Sequence, residues 1–273
     1  MNDKNRLSLF RTFLRNESSF DSLFCDKQDY PDYSLYYNTE FADDAVFNHV
    51  SLSEHVLLDH APSSVSYEDI VADITEEARN KGVPASIFVE AFWPQFHAFQ
   101  KVAIEMGYFF FGKMNIMSKQ IAEDGTAQTN ALDVIVSETD DVQVWNRAFM
   151  KSFSIPPSWE NELLRRERAF PKDSTRLLVA YLGNSKGRDA DGCLMILVEP
   201  RDCAGIYSVG AVPESRSKGI ARALMVRAES LSRGLGSKLL TLQTIVSDGY
   251  TPMYEKFGFH IDFERDVLKR PNF

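Results

Sequence analysis

Hydrophobic and polar positions follow two different periods along residues 131–273. Short apolar runs predict strands, and stretches with apolar residues three or four positions apart predict helices. The predicted strands are 132–136, 176–182, 192–199, 205–212, 238–243 and 259–268. The predicted helices are 142–153, 160–170, 251–257 and a segment from about 218 that ends at Arg233-Gly234. This order, β-α-α-β-β-β-α-β-α-β, predicts a mixed sheet flanked by helices, which is an α+β fold.

The first half of the chain carries a weaker copy of the later pattern. A shift of 151 residues places Ile87–Phe92 on Lys238–Gln243, and a helix predicted at 67–81 on 218–232. The same shift places Gly107-Tyr108 on Gly258-Phe259 and the strand 109–117 on the last strand. We interpret 1–125 as a partial, degenerate copy of the domain at 131–273, joined to it by a polar linker at 123–130. An unrelated α+β domain is the alternative.

The segment Val212–Met225, VPESRSKGIARALM, joins a predicted strand to a predicted helix. Arg216, Gly219 and Ala221 stand in it in the order R-x-x-G-x-A. A helix N-terminus offers unpaired N–H groups, and small residues let a phosphate approach them closely. The segment therefore indicates a pyrophosphate cradle, although a glycine at such a place also serves simply as a packing or turn residue.

Two motifs at this spacing resemble the GNAT superfamily of acyl-CoA-dependent N-acyltransferases over about 131–273. The first is Arg216-x-x-Gly219-x-Ala221, after a strand that ends Ala211-Val212-Pro213. The second is a strand followed by Tyr254-Glu-Lys-Phe-Gly-Phe259. The resemblance implies the GNAT fold, a central mixed sheet flanked by helices, here preceded by a partial GNAT-like half.

The resemblance also implies a set of donor-binding residues. Backbone groups of Val209, Gly210 and Ala211 would bind the pantetheine arm and the acetyl carbonyl as an added strand does. The loop after them would hold the pyrophosphate with its N–H groups, from Ser217, Lys218, Gly219, Ile220, Ala221 and Arg222. Ser247 stands where the family often has asparagine, which leaves that pantetheine contact in doubt. Tyr254 would protonate the departing thiolate, unless it is an ordinary core tyrosine.

The first half lacks this chemistry. Val65, Glu68 and Ile70 stand where Arg216, Gly219 and Ala221 stand in the second half, and Ala103 replaces Tyr254. Two carboxylates, Glu68 and Asp69, would repel a pyrophosphate, so one CoA site per chain is expected. The first half would wall off the acceptor cleft with Phe92-Trp93-Pro94, Phe96, Phe109–Phe111 and Asp43-Asp44, or its aromatic residues form core.

The charge of the chain lies mainly in the first half. The net charge is −9, and 1–125 carries 10 basic against 20 acidic residues, a net of −10. This argues against nucleic acid as a partner and is compatible with a cationic acceptor. No apolar run is long enough for a membrane span, and residues 1–20 lack the apolar centre of a signal peptide. Three scattered cysteines indicate a reducing cytoplasm and no metal site.

The general base is not identified by the sequence. Glu138, Glu199, Asp202 and Glu214 lie near strand ends, but each also fits a surface carboxylate, and water can serve instead. An acyl-cysteine route through Cys193 or Cys203 lacks a neighbouring histidine, so both are interpreted as buried strand cysteines.

The sequence thus predicts a cytoplasmic N-acetyltransferase that carries acetyl from acetyl-CoA to an amine of a small molecule or peptide. The alternatives are a non-catalytic acyl-CoA sensor and an acyltransferase for a longer acyl-CoA or an aminoacyl donor. We expect a monomer, with a homodimer as the alternative.

Overall fold

The computed structural model describes residues 3–41, 44–58, 66–122, 133–183 and 189–271. The predicted linker at 123–130, Asp43 and Val65 lie outside these residues. The helices are α1 (Asp3–Phe24), α2 (Glu54–Leu58), α3 (Tyr67–Lys81), α4 (Phe96–Glu105), α5 (Val142–Phe153), α6 (Glu160–Glu167), α7 (Ile220–Gly234) and α8 (Thr251–Lys256). The first-half strands are β1 (Asp26–Asp29), β2 (Tyr33–Tyr37), β3 (His49–Leu52), β4 (Ser86–Glu90) and β5 (Phe109–Gln120). The later strands are β6 (Val134–Glu138), β7 (Thr175–Leu182), β8 (Gly192–Val198), β9 (Cys203–Ala211), β10 (Leu239–Ile245) and β11 (His260–Lys269).

The predicted α+β fold class is confirmed, and so is the predicted element order from β6 to β11. Helix α5 has the predicted bounds, and α7 ends at Gly234, where the basic-glycine pair predicted its end. Pro252 lies in the first turn of α8, the position at which its missing N–H costs nothing. Weak periodicity hid α1 and the short strands β1 to β3, which the sequence did not predict.

The chain forms two compact units that do not follow the two halves of the sequence. The first unit combines 1–23 with 118–242, and the second combines 24–117 with 243–273. Most of α1 therefore belongs with the later elements, whereas α8 and β11 belong with the first half. The predicted division into 1–125 and 131–273 was based on sequence duplication and function rather than on compactness, and it stays a prediction.

The sheet of the first unit has the order β6-β7-β8-β9-β10. Its neighbours are antiparallel except β9 and β10, which pair in parallel through 203–205 and 239–241. Helices cover both faces. A Cβ placed on Gly192 would meet Ile220 of α7, and one on Gly210 would meet Ser152 of α5.

Helix α1 packs on this unit through a buried asparagine. Asn16 donates from Nδ2 to the carbonyl oxygens of Leu197, at 3.1 Å, and Glu199, at 2.6 Å. Phe20 stacks on the Tyr207 ring with centroids 3.8 Å apart. The helix approaches so closely that a Cβ on Gly205 would lie 2.0 Å from Asn16 Oδ1. The first helix of the chain is thus part of the first unit's core.

In the second unit the strand order is β1-β2-β3-β4-β11-β5. Strands β3 and β4 are parallel, as β9 and β10 are in the first unit, and a helix of 15 residues lies between the partners in each case. The run α3-β4-α4-β5 repeats the order α7-β10-α8-β11. This repetition agrees with the predicted duplication, which itself stays a prediction.

The aromatic residues of the first half have two different environments. Trp93 and Phe96 are buried, and Trp93 contacts Phe99 with ring centroids 5.5 Å apart, so their interpretation as core is confirmed. Phe109, Phe110 and Phe111 are about half exposed and are not core residues. Their predicted place in an acceptor cleft remains a prediction.

Candidate functional site

The loop between β9 and α7 has the backbone shape of an anion-binding turn. A 3-10 turn, Pro213–Ser215, is followed by Arg216 in an extended conformation. Ser217 and Gly219 then take left-handed conformations, with φ of +60° and +86°. Alternation between right- and left-handed residues turns successive N–H groups toward one point, which makes a concave site for an anion. The glycine at 219 is required because a left-handed conformation is strained for most other residues.

No side chain of the preceding loop caps the N-terminus of α7 at Gly219. The first helical hydrogen bond runs from Ala223 N to Gly219 O, at 3.0 Å. The N–H groups before Ala223 are thus available to a ligand. Exposed Lys218 and Arg222 add positive charge beside them.

Helix α3, the predicted counterpart of α7, has a closed N-terminus. Ser66 Oγ accepts a hydrogen bond from Asp69 N at 3.1 Å, and Asp69 Oδ2 accepts one from the hydroxyl of Ser66 at 2.7 Å. This capping box uses the donors that an anion would need. The carboxylate also places negative charge at the helix start, where α7 has none.

Side chains hold the loop on two sides. Arg216 donates from Nη2 to Ser152 O, at the end of α5, at 3.0 Å, and from Nε to Ala211 O at 3.4 Å. The Ser215 hydroxyl donates to Asp191 Oδ1 on the other side. Lys218 Nζ donates to Glu214 O at 2.7 Å. The Arg216 side chain is thus engaged with backbone carbonyls, and the sequence did not reveal the part played by Asp191.

Strand β9 contains a bulge that includes Val209, the first of the predicted pantetheine-binding residues. Cys193 pairs with Gly210 and Met195 with Tyr207, so Ser208 and Val209 stand together opposite Leu194. Ser208 has φ of +52°, and its carbonyl accepts a weak hydrogen bond from the Cys193 thiol at 3.4 Å. Such a bulge breaks the ladder and redirects backbone groups. A Cβ on Gly210 would lie 2.8 Å from the half-exposed Phe153 ring, so α5 lies directly over this strand.

A cavity of about 510 Å³ opens on the other side of the loop. Its lining includes Lys151 and Lys218 with three carboxylates, Asp189, Asp191 and Glu214. Lys151 is paired with Asp189 at 2.6 Å, and Ser215 with Asp191. Most of its charged groups are therefore already paired within the first unit.

Tyr254 lies on α8 in the second unit, where it is buried with 7% of its surface exposed. Burial raises the pKa of its hydroxyl to about 12, with a smaller contribution from Tyr250. Gly258, at φ +88°, turns the chain back so that Phe259 N donates to Tyr254 O and the two rings meet edge to face. The hydroxyl therefore stays protonated at neutral pH.

Two further residues of the second unit lie beside this helix. Ser247 is exposed in the short turn Val246–Asp248 before α8. Asn115 of β5 is buried and donates from Nδ2 to Thr251 Oγ1, at 3.1 Å, at the start of α8. Thr251 and Tyr254 share a helix face because they are three residues apart. The sequence did not identify Asn115, because a single asparagine in a strand carries no signal.

Two of the four candidate bases form ion pairs, and both candidate cysteine nucleophiles are buried. Glu138 pairs with Arg176 at 3.2 Å, and Glu199 with Arg15 at 2.6 Å. Cys193 and Cys203 are fully buried, which confirms their interpretation as strand cysteines. Burial raises the pKa of the Cys203 thiol to about 11 and that of Cys193 further, so neither is a ready thiolate.

Within the described ranges, no three His, Cys, Asp or Glu side chains come together as a metal-ion site. In the same ranges, no helix has the length and apolar character needed to cross a membrane.

Comparison with known proteins finds a family match for part of the chain and a shared fold for most of it. Residues 142–259 match the model of the "Acetyltransferase (GNAT) family". No curated protein matches the chain. Three solved structures share its fold over most of their length at 10–15% identity. A GCN5-related N-acetyltransferase from Kribbella flavida has a TM-score of 0.66 at 10% identity, over 94% of this chain and 96% of its own.

A conserved protein of unknown function from Staphylococcus epidermidis has a TM-score of 0.66 at 13% identity, over 92% of this chain and 96% of its own. A GCN5-related N-acetyltransferase from Sphaerobacter thermophilus has a TM-score of 0.65 at 15% identity, over 89% of this chain and 82% of its own. At these identities the likeness concerns the fold.

Proposed function

We propose that the chain transfers acetyl from acetyl-CoA to a primary amine of a small molecule or peptide. The proposal builds on the match of residues 142–259 to the GNAT acetyltransferase family. The observation that carries this proposal is the uncapped N-terminus of α7 behind the left-handed residues Ser217 and Gly219. Acyl transfer from acyl-CoA is the general activity of the family. The acetyl donor, the amine and the roles of single residues are our proposal.

The pyrophosphate of acetyl-CoA binds to the N–H groups from Ser217 to Arg222. The helix dipole and the turned backbone give these donors a positive potential. Gly219 and Ala221 keep the approach free of bulky side chains. One acetyl-CoA binds per chain, because the capping box of Ser66 and Asp69 closes the corresponding helix start in the first half.

The pantetheine arm binds along Val209, Gly210 and Ala211. Strand β9 pairs with β10 through Cys203–Gly205 and continues to Ala211, so its later residues would offer backbone groups to an added ligand. The bulge at Ser208 ends the regular ladder on the other side and allows a backbone N–H to turn toward the thioester carbonyl.

Tyr254 supplies the proton that the leaving thiolate needs. The amine nitrogen forms a bond to the acetyl carbonyl carbon, the carbon–sulfur bond breaks, and the sulfur takes the hydroxyl proton. The proton lost by the amine, passed through water, restores the hydroxyl. The Tyr254 hydroxyl is protonated across the neutral range, as this role requires, with a pKa that burial raises to about 12. Its assignment rests on the family resemblance of the 254–259 segment, as does a contact of Ser247 with the pantetheine.

We place the protein in the cytoplasm as a monomer that uses neither nucleic acid nor a membrane. Support comes from its three buried, free cysteines and from its net charge of −9. A fused second GNAT-like half would take the place that a partner subunit fills in a dimer.

Calorimetric titration with acetyl-CoA tests the proposal. The wild type should bind about one molecule per chain, and Gly219→Glu should weaken binding about tenfold or more, because a carboxylate then occupies the anion site. Gly234→Glu adds the same side chain at the far end of α7, where open space surrounds Gly234, and should bind like the wild type. A wild type that does not bind acetyl-CoA would overturn the proposal.

A further inference from the structure

We infer that Asp191, at the start of β8, is the positioning residue of the proposed pyrophosphate cradle. This inference rests on the proposed function for its ligand, but its structural basis is independent of that ligand. Asp191 is not part of either sequence motif and does not belong to the loop between β9 and α7. It acts through Ser215, the one loop residue that is fully enclosed by protein at this side.

Asp191 is itself held firmly by β7. Its backbone N–H donates to Ala180 O at 2.8 Å, and its Oδ2 accepts from Leu182 N at 2.9 Å. One bond holds the backbone of Asp191 and the other holds its side chain, so both are tied to the same strand. Asp191 therefore offers the loop a fixed point on the sheet.

The loop is attached to this fixed point twice. Val212 N, at the end of β9, donates to Asp191 O at 2.9 Å, and the Ser215 hydroxyl donates to Oδ1 of the same residue. These two bonds bracket the 3-10 turn Pro213–Ser215. Ser215 is 3% exposed, so loss of the carboxylate removes the acceptor of a largely buried hydroxyl.

The next residue in the chain positions the start of the helix. A Cβ on Gly192 would lie 2.3 Å from Ile220 Cγ2 and 2.6 Å from Gly210 O, so the first residue of α7 packs directly on this glycine. Asp191 thus fixes the start of the loop while Gly192 receives its end. The donors at 217–219 lie between these two attachments and those at 220–222 follow directly, so a shift of either attachment would misplace them.

The test compares acetyl-CoA binding by wild type, Asp191→Ala, Ser215→Ala and Asp191→Asn. The two alanine variants each remove the bond to the loop and should weaken binding about tenfold, since small misplacements of binding groups are costly. The asparagine variant should bind within about twofold of the wild type, because its oxygen still accepts from Leu182 and its amide can donate to Ser215.

Asp189→Ala is the matched control. Asp189 lies two residues away along the chain, and its described partners are Lys151, at 2.6 Å, and Arg147, at 3.4 Å, neither of which belongs to the loop. It should bind acetyl-CoA like the wild type. Equal weakening by Asp189→Ala would mean that local charge, rather than the bond to Ser215, is responsible, and would overturn the inference.

Hydrogen exchange of the unliganded proteins gives a second readout. Peptides covering 212–224 should exchange faster in Asp191→Ala and Ser215→Ala than in wild type, Asp191→Asn and Asp189→Ala. Peptides of β7 that end before Leu182 should stay unchanged. If exchange follows this pattern but the wild type does not bind acetyl-CoA, the proposed function is rejected while the positioning role of Asp191 is retained. Unchanged exchange and binding in the alanine variants would overturn the inference. If Asp191→Ala loses protection from exchange throughout the chain, that variant has unfolded. Ser215→Ala, which removes the same bond from the other side, then tests the inference.

Discussion

The Tyr207 hydroxyl donates a 2.6 Å hydrogen bond to Asn16 Oδ1 across 191 positions of sequence. The amide nitrogen of Asn16 also satisfies the carbonyls of Leu197 and Glu199. One buried side chain of α1 therefore supplies hydrogen-bond partners to polar groups of β8, of β9 and of Glu199, which follows β8. The first unit of the fold requires the start of the chain.

Asn16→Ala should lower the free energy of unfolding by about 2 kcal/mol or more, since three buried polar groups lose their partner. Urea unfolding followed by tryptophan fluorescence would measure it. Arg15→Ala is the control, because Arg15 is 66% exposed in its ion pair with Glu199 and should cost about 1 kcal/mol or less. Equal effects of the two variants would contradict the importance given to the buried amide.

Gly192→Ala should destabilise the fold by about 1–3 kcal/mol, because the added methyl overlaps Ile220 and the carbonyl of Gly210. The thermal unfolding midpoint would report the change. Gly234→Ala is the matched glycine at the end of the same helix, where nothing lies within 4 Å. That substitution should be neutral or slightly stabilising, since alanine favours the helix. A harmless Gly192→Ala would mean that α7 does not pack as closely as described.

Tyr254→Phe should reduce turnover about 100-fold or more while the dissociation constant of acetyl-CoA changes less than about twofold. The loss follows because phenylalanine keeps the packing of the ring but has no proton to give. Release of free CoA thiol under a screen of amines would measure the rate. Tyr250→Phe, an exposed neighbour, is the control. A fully active Tyr254→Phe would assign the leaving-group proton to another donor.

The free energy of unfolding should depend on pH through the protonation of Glu167. This carboxyl is 2% exposed, and burial raises its pKa to about 7, opposed by a hydrogen bond from Asn146. The folded state therefore binds a proton more tightly than the unfolded state, whose carboxyl has the ordinary value of 4.5. The free energy of unfolding should fall as pH rises from about 4.5 to about 7 and stay flat above that range.

Glu167→Gln should remove this slope. The difference in unfolding free energy between the variant and the wild type should be about 1–3 kcal/mol more favourable to the variant at pH 8 than at pH 5. Urea unfolding at both pH values would measure it. Glutamine keeps an oxygen to accept from Asn146, so packing is preserved. The control, Glu160→Gln, changes an exposed carboxylate on the same helix and should not alter the slope. A wild type without the slope would place the ionised carboxylate in contact with water.

The local pattern of the sequence determined the elements from 131 onward. Strand and helix periods predicted their order. Gly219 and Gly258 fit the left-handed positions at the start of α7 and in the turn that brings Phe259 back to Tyr254. Each of these features depends on residues near one another along the chain, where backbone sterics act directly. The loop and strand of the candidate donor site were readable for the same reason.

Only the tertiary structure decided which distant residues complete these elements. Asp191 holds Ser215 from 24 positions away, and Asn16 reaches Tyr207 from 191. A lone aspartate or asparagine has the same local preferences whether it faces water or a buried hydroxyl, so no pattern marks it. The open helix start at Gly219 was therefore determined by the sequence itself, whereas what holds it in place was determined by packing.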